Sequence, residues 1–336
     1  MKKVFAFLLS FVLFVTCAVA CAGAEEKKIN VIATIFPVYD WTREIVGSDA
    51  SRVNITLLLD SGVDLHSYQP TAQDILAIST ADLFIYVGGE SDEWVEDVLQ
   101  SAMNPNLKAI NLVEAMGKEI KTEEIVEGME HDHDHEDHDH EESEEHEEHD
   151  DHEHEHEDEA DEHVWLSLRN AGKLTKVIAD TLSEIDPDYA ERYQSNASAY
   201  IGELAGLDAR YTETVSDSAF KTVLFGDRFP FRYLADDYGL TYYAAFSGCS
   251  AESEASFQTI VFLAQKVDEL GLPAVLTIEH PKTKIAETVV STSRAKNAKI
   301  LSVDSMQGTT AADIQAGTTY LSVMEANLEV LKEALN

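Results

Sequence analysis

Histidine is the residue whose number and placement could do the most chemistry in this sequence. There are 13, and His131 to His163 contains 11 of them, interleaved with Asp and Glu. Clustered imidazoles among carboxylates are a metal-binding composition, and neutral imidazole suits zinc, copper and nickel better than calcium or magnesium. The tract His131-Asp-His-Asp-His135 is too regular for histidines that are incidental to a solvated acidic linker. A segment with so few apolar residues cannot preorganise one tight site. It reads as a collector or sensor of metal at weaker affinity.

Outside the tract the candidates are single residues. His66 lies in Asp64-Leu65-His66-Ser67, after an apolar run and before a helical pattern, where an imidazole can ligate a metal or simply cap or pack. His163 closes the acidic tract in Asp161-Glu162-His163-Val164-Trp165, and is either its last residue or the first ordered one. Asp304 ends the last apolar run, Leu301-Ser302-Val303-Asp304, as a metal ligand or a helix cap. Cys249, in Phe246-Ser247-Gly248-Cys249-Ser250, is a further candidate because thiolates favour zinc. The plainer alternative, a partly buried free thiol, is preferred for it.

These residues need elements to position them. Continuous runs rich in Val, Ile and Leu predict buried parallel strands at 30–36, 53–59, 83–88 and 109–112, and again at 222–225, 241–246, 274–278 and 299–303. Helical patterns fall between them, at 39–47, 70–80, 92–102, 231–237, 254–270, 282–295 and 313–334, with Pro70 placed in a first helical turn. Residues 169–185 form another helix. The segment from Asp188 to Val215 reads as one long helix, with apolar or small residues at Tyr193, Ala197, Tyr200, Ile201, Leu204, Leu207 and Tyr211. The fold class is therefore α/β: two βα lobes with four-stranded, mainly parallel sheets on either side of a long helix. The lobes span 28–187 and 217–336, the helix 188–216, and the low-complexity stretch 129–161 is a disordered loop in the first lobe. Such sheets present ligands at the carboxyl ends of their strands, so two facing lobes make a cleft.

Residues 1–20 are a separate object. Lys2 and Lys3 precede an apolar run from Val4 to Thr16, and small residues follow. This is the plan of a secretory signal peptide, too short for a transmembrane helix. Cys21 follows directly, as in a bacterial lipobox, where the cysteine is acylated and a diacyl chain holds the protein on a membrane. Simple secretion is the alternative. The formal net charge is −39, and residues 130–162 contain no Lys or Arg. That excludes a basic footprint for nucleic acid and makes cations the natural partners.

Taken in order, these motifs resemble the cluster A-I solute-binding proteins of metal ABC transporters, in particular the zinc-binding ZnuA-like and TroA-like proteins. His66 with Pro70 and Asp74 resembles the first-ligand motif. Tyr86-Val-Gly-Gly-Glu90 with Trp94, the acidic tract ending in His163-Val-Trp165-Leu-Ser167, the long helix from Asp188, Tyr238-Gly239-Leu240, Ile278-Glu279 and Val303-Asp304 follow in family order. The resemblance covers nearly the whole mature chain. It implies two lobes joined by a rigid helix with metal between them, His66 and His163 as ligands from the first lobe, and Asp304 as a ligand from the second.

One position departs from that pattern. The third ligand, His or Glu in the family, falls on Arg228, and a guanidinium does not ligate metals. Asp227 is the preferred substitute, with water, His280 or a tract histidine as alternatives. Arg228 is expected to pair with Glu279 or Asp304. The function implied is extracytoplasmic capture of zinc, as a lipid-anchored monomer, for delivery to an ABC transporter permease. Manganese or iron transport is the alternative within the family, and a surface zinc buffer without a transporter is a second class. An enzyme is not expected: a zinc hydrolase needs an open metal position and a general base, and neither a Gly-x-Ser-x-Gly motif nor a phosphate-binding Gly loop is present.

Overall fold

The computed structural model describes residues 28–49, 51–129, 159–250, 254–279 and 283–336. The signal-peptide and Cys21 expectations, His280 and the tract histidines up to His156 lie outside the described residues. Among the described residues no helix is long and apolar enough to cross a membrane.

The first lobe contains β1 (Ile29–Ala33), α1 (Phe36–Val46), β2 (Val53–Leu57), α2 (Ala72–Thr80), β3 (Leu83–Tyr86), α3 (Trp94–Gln100), β4 (Lys108–Asn111) and α4 (Leu112–Met116). Two helices follow, α5 (Leu168–Ile185) and the 28-residue α6 (Ala190–Asp217). The second lobe contains β5 (Thr222–Phe229), α7 (Arg232–Tyr238), β6 (Thr241–Ser247), α8 (Phe257–Leu270), β7 (Ala274–Ile278), α9 (Lys284–Thr292), β8 (Lys299–Val303), α10 (Ala311–Gln315) and α11 (Tyr320–Ala334). The sheets are both four-stranded, ordered β2-β1-β3-β4 and β6-β5-β7-β8. All their described pairings are parallel. The unbroken apolar runs follow from this, because helices cover both faces of a parallel sheet.

The apolar stripe of α6 is buried at Tyr193, Ala197, Tyr200, Leu204, Leu207, Tyr211 and Val215. At about 1.5 Å per residue it runs roughly 40 Å. Its Tyr211 hydroxyl donates to the Met324 carbonyl of α11 at 2.6 Å. The principal core is continuous across both lobes, drawing on β1, β3, α5, α6, β5, β7 and α11. Closing or opening the cleft therefore works against shared packing rather than about a bare hinge.

Several elements differ from the sequence pattern for identifiable reasons. Pro70 stays outside α2, because Thr71 and Asp74 close a reciprocal capping box that fixes the helix start at Ala72, two residues later. The stretch expected as one helix over 313–334 is two, interrupted at Gly317 (φ 100°) and restarted by the Thr319 cap. The ends of the acidic stretch are ordered: Met129 joins the core and Asp161 is buried. A short antiparallel pairing joins Ala160, beside the second of these ends, to Thr122. In β5 the register with β6 slips between Phe225 and Arg228. Gly226 sits in that bulge, and a Cβ there would lie 2.6 Å from the Ala286 Cα of α9. Bulges re-aim the side chains that follow them, here Arg228.

Candidate metal centre

His66 sits in a single 3₁₀ turn, Leu65–Ser67. Leu65 anchors the turn in the core, and the Asp64 carboxylate caps it by accepting the His66 N–H at 3.0 Å. The ring Nδ1 lies 2.8 Å from the Ser91 hydroxyl and 3.8 Å from the Glu162 carboxylate. That leaves Nε2 facing inward.

His163 is fully buried. Asp161 holds it twice, its Oδ1 accepting the backbone N–H at 2.9 Å and lying 3.0 Å from the ring Nδ1. With the proton on Nδ1, the lone pair is on Nε2, the arrangement by which a carboxylate orients a metal-binding imidazole. The next turn is fastened to the second lobe. Trp165 donates its indole N–H to the Ser305 carbonyl at 2.9 Å, and the Tyr320 hydroxyl donates to the Trp165 carbonyl at 2.7 Å.

The two Nε2 atoms are 3.2 Å apart. Burial, reinforced by the neighbouring His163, pulls the pKa of His66 down to about 3. The imidazole is therefore neutral, as ligation requires.

Cys249 joins them. It follows β6 by two residues, and one ligand atom from each of His66, His163 and Cys249 lies within 4.8 Å of the others. Gly248 makes this approach possible: a Cβ there would stand 2.9 Å from His163 Cε1 and 3.1 Å from the Phe229 carbonyl. The Cys249 N–H donates to Glu123 Oε1 at 2.9 Å. Burial, then the carboxylates of Glu123, Glu162 and Asp161, push the thiol well above its ordinary range. Sequence reasoning preferred a bystander thiol. Its available signals were a strand-end position and thiolate chemistry, neither of which says that β6 ends over His163.

The two aspartates expected as ligands stand apart from this group. Asp304 follows β8, accepts the Met306 N–H at 2.7 Å, and donates its own N–H to Asn327 at 2.8 Å. Asp227 accepts N–H groups from Arg228 at 2.9 Å and Ile278 at 3.3 Å. Glu279 accepts from the Gln307 N–H at 3.0 Å and from both the backbone N–H and hydroxyl of Ser305. Burial, and then Asp304 beside it, push Glu279 up to about 7. Arg228 pairs with neither Glu279 nor Asp304 as expected. Its guanidinium crosses the cleft and donates to the Asp64 carboxylate, because the β5 bulge carries it towards the first lobe.

The ZnuA family model, described as zinc-uptake complex component A periplasmic, matches residues 31–334. The chain belongs to the ZnuA family. Among ZnuA-family relatives, the zinc-binding protein AdcA of Streptococcus pyogenes serotype M3 is 33% identical over 307 residues, covering 91% of this chain and 56% of AdcA. This chain thus spans little more than half the length of that relative. The high-affinity zinc uptake system protein ZnuA of Bacillus subtilis is 30% identical over 314 residues, covering 94% of this chain and 90% of that protein. The solved Zn(II)-bound ZnuA-like domain of Streptococcus pneumoniae AdcA superposes with a TM-score of 0.68 at 28% identity, covering 92% of this chain and 99% of the domain. Arg228, where the sequence resemblance places a third ligand, forms an ion pair with Asp64 across the cleft.

Proposed function

We propose that this chain captures zinc between its lobes on the outer side of the cytoplasmic membrane and delivers it to an ABC transporter permease. The observation that carries the reading is the 3.2 Å approach of the His66 and His163 Nε2 atoms, each ring held through its other nitrogen. A tetrahedral zinc with Zn–N bonds of about 2.0–2.1 Å separates two nitrogens by roughly 3.3 Å. The pair therefore stands at the spacing of a coordination edge. Two imidazoles favour zinc over manganese, which prefers oxygen ligands. The zinc-binding names of the relatives support the same cargo, and the lipoprotein name of the Streptococcus pneumoniae AdcA supports acylation at Cys21.

The mechanism is capture without bond chemistry on a substrate. Neutral imidazoles replace water on the ion, Asp161 and Ser91 keep the lone pairs aimed, and the shared core limits the movement to a small closure. Asp304, just after β8, and Asp227, within β5 at its bulge, are the oxygen ligands available from the second lobe to complete the shell. The acidic tract ends beside the site, since Ala160, which pairs with Thr122, is next to Asp161, the residue that holds the His163 ring. That position suits a collector that raises the local concentration of metal.

The test is a chelator-competition titration with zinc and manganese, on the wild type and on a variant lacking residues 130–158. One tight zinc equivalent that survives removal of the tract, with manganese much weaker, is the expected result. Loss of the tight equivalent with the tract would overturn the reading in favour of a surface buffer.

A further inference from the structure

We infer that Cys249 is a zinc ligand, completing with His66 and His163 a two-imidazole, one-thiolate site that joins the lobes. The inference rests on the zinc-capture reading above and adds a ligand to it.

The geometry is the first argument. Zinc at about 2.0–2.1 Å from nitrogen and about 2.3 Å from sulfur separates its tetrahedral ligand atoms by roughly 3.3–3.6 Å. The two imidazoles already stand at 3.2 Å, and all three ligand atoms lie within 4.8 Å of one another. A shift on the order of 1 Å at the thiol therefore makes a bonding trio. This is the one such group of His, Cys, Asp and Glu among the described residues.

The second argument is that the thiol is held there by the same parts that hold His163. Gly248 packs its bare Cα against the His163 ring. The Cys249 N–H is fixed by Glu123. Glu123 in turn donates its N–H to the Glu159 carbonyl, and Asp161 donates its N–H to the Lys121 carbonyl. One short antiparallel pairing thus sets both Asp161, which orients His163, and Glu123, which places Cys249.

The third argument is the fate of Arg228. A cation that cannot ligate occupies the family's third-ligand position and is committed to Asp64. The second lobe still contributes a ligand atom at the imidazole pair, and the residue that does so is Cys249.

Binding costs the thiol its proton. The Zn–S bond forms from the sulfur lone pair as the S–H bond breaks, and the proton passes to solvent. No oxidant or reductant is involved. A soft thiolate in place of a harder ligand moves preference further towards zinc and away from manganese.

Cobalt(II) tests this directly, because a thiolate ligand gives it a near-ultraviolet charge-transfer band that imidazoles and carboxylates do not. The chain has 3 cysteines, so the full chain carrying Cys17→Ser and Cys21→Ser has Cys249 as its sole thiol. It is expected to develop the band at one equivalent of cobalt. Adding Cys249→Ser should abolish the band and weaken zinc by at least the roughly 10–100-fold that loss of an outer hydrogen-bond partner costs. Unchanged far-ultraviolet circular dichroism and melting temperature would show that the variant is folded. A tight cobalt equivalent without the band, with zinc affinity unaltered by Cys249→Ser, removes Cys249 from the site and leaves zinc capture standing. Absence of any tight equivalent in either chain overturns the capture reading, and this inference with it.

Discussion

Arg228 in the second lobe donates to Asp64 in the first, and Asp64 is the same carboxylate that caps the turn carrying His66. One aspartate thus couples the closing of the lobes to the aim of a ligand. Both side chains are largely shielded, at 16% and 27% exposure, so the pair is screened less than a surface ion pair. Arg228→Ala is expected to lower the stability of the metal-free protein by about 1–2 kcal/mol. It should also speed zinc release, since the cleft loses a bond across it. Urea unfolding and stopped-flow chelation measure the two effects, and a variant unchanged in both would deny the pair any role.

Asp161 touches no metal in the proposed site, yet it fixes the ring of His163. Asp161→Asn keeps the volume and removes the charge that selects the Nδ1–H tautomer. Zinc affinity should fall about 10–100-fold. His163→Ala should cost more, because it removes a ligand outright. Chelator competition on the two variants orders the losses, and equal affinity in Asp161→Asn and wild type would count against the orienting role.

Gly248→Ala tests the close approach. The added methyl would press on the His163 ring and the Phe229 carbonyl. Overpacking of this kind costs about 1–3 kcal/mol, and relief requires β6 to move its end, with Cys249, away from the imidazoles. Lower melting temperature together with weaker zinc binding is the expected result. A normal melting curve would show that the loop absorbs the methyl without strain.

One pH dependence of stability originates in a residue outside the proposed site. Asp40 of α1 is fully buried and accepts the Tyr320 N–H at the start of α11 at 2.8 Å. Burial pushes its carboxyl from 3.8 up to about 6. The folded state therefore holds this proton more tightly than the unfolded chain. The stabilisation is complete below about pH 3.8, and it is lost as pH rises to about 6. Asp40→Asn keeps an acceptor for Tyr320 without a charge to bury. At pH 7 it should be the more stable protein by up to about 3 kcal/mol, and the advantage should vanish by pH 4. Thermal melts of both proteins at the two pH values decide it; a difference that does not change with pH would refute the assignment.

Much of the fold could be read from local patterns. Runs such as Ala274–Ile278 and Lys299–Val303 became strands at the expected bounds, since burial on both faces of a parallel sheet demands unbroken apolar residues. The stripe from Tyr193 to Tyr211 became the face of α6 for the same kind of reason, a period of 3.6. The helix breaks were less legible. Residues 313–334 keep a helical composition throughout, and the interruption depends on the left-handed backbone of Gly317 together with the Thr319 cap.

The sequence by itself singled out His66 and His163 through the resemblance of their motifs to those of metal-binding relatives; that Asp64 caps the turn of one and Asp161 holds the ring of the other is read from the structure. The sequence also determined that Arg228 cannot ligate, since that is a property of the guanidinium alone. Only the tertiary structure decided what the second lobe brings to them. The strand order β6-β5-β7-β8 and the bulge in β5 carry Cys249 to the imidazoles and Arg228 to Asp64. Those contacts join residues 86 to 183 positions apart in the chain (249 − 163 and 249 − 66), and such distances are closed by sheet order and packing, which no local pattern encodes.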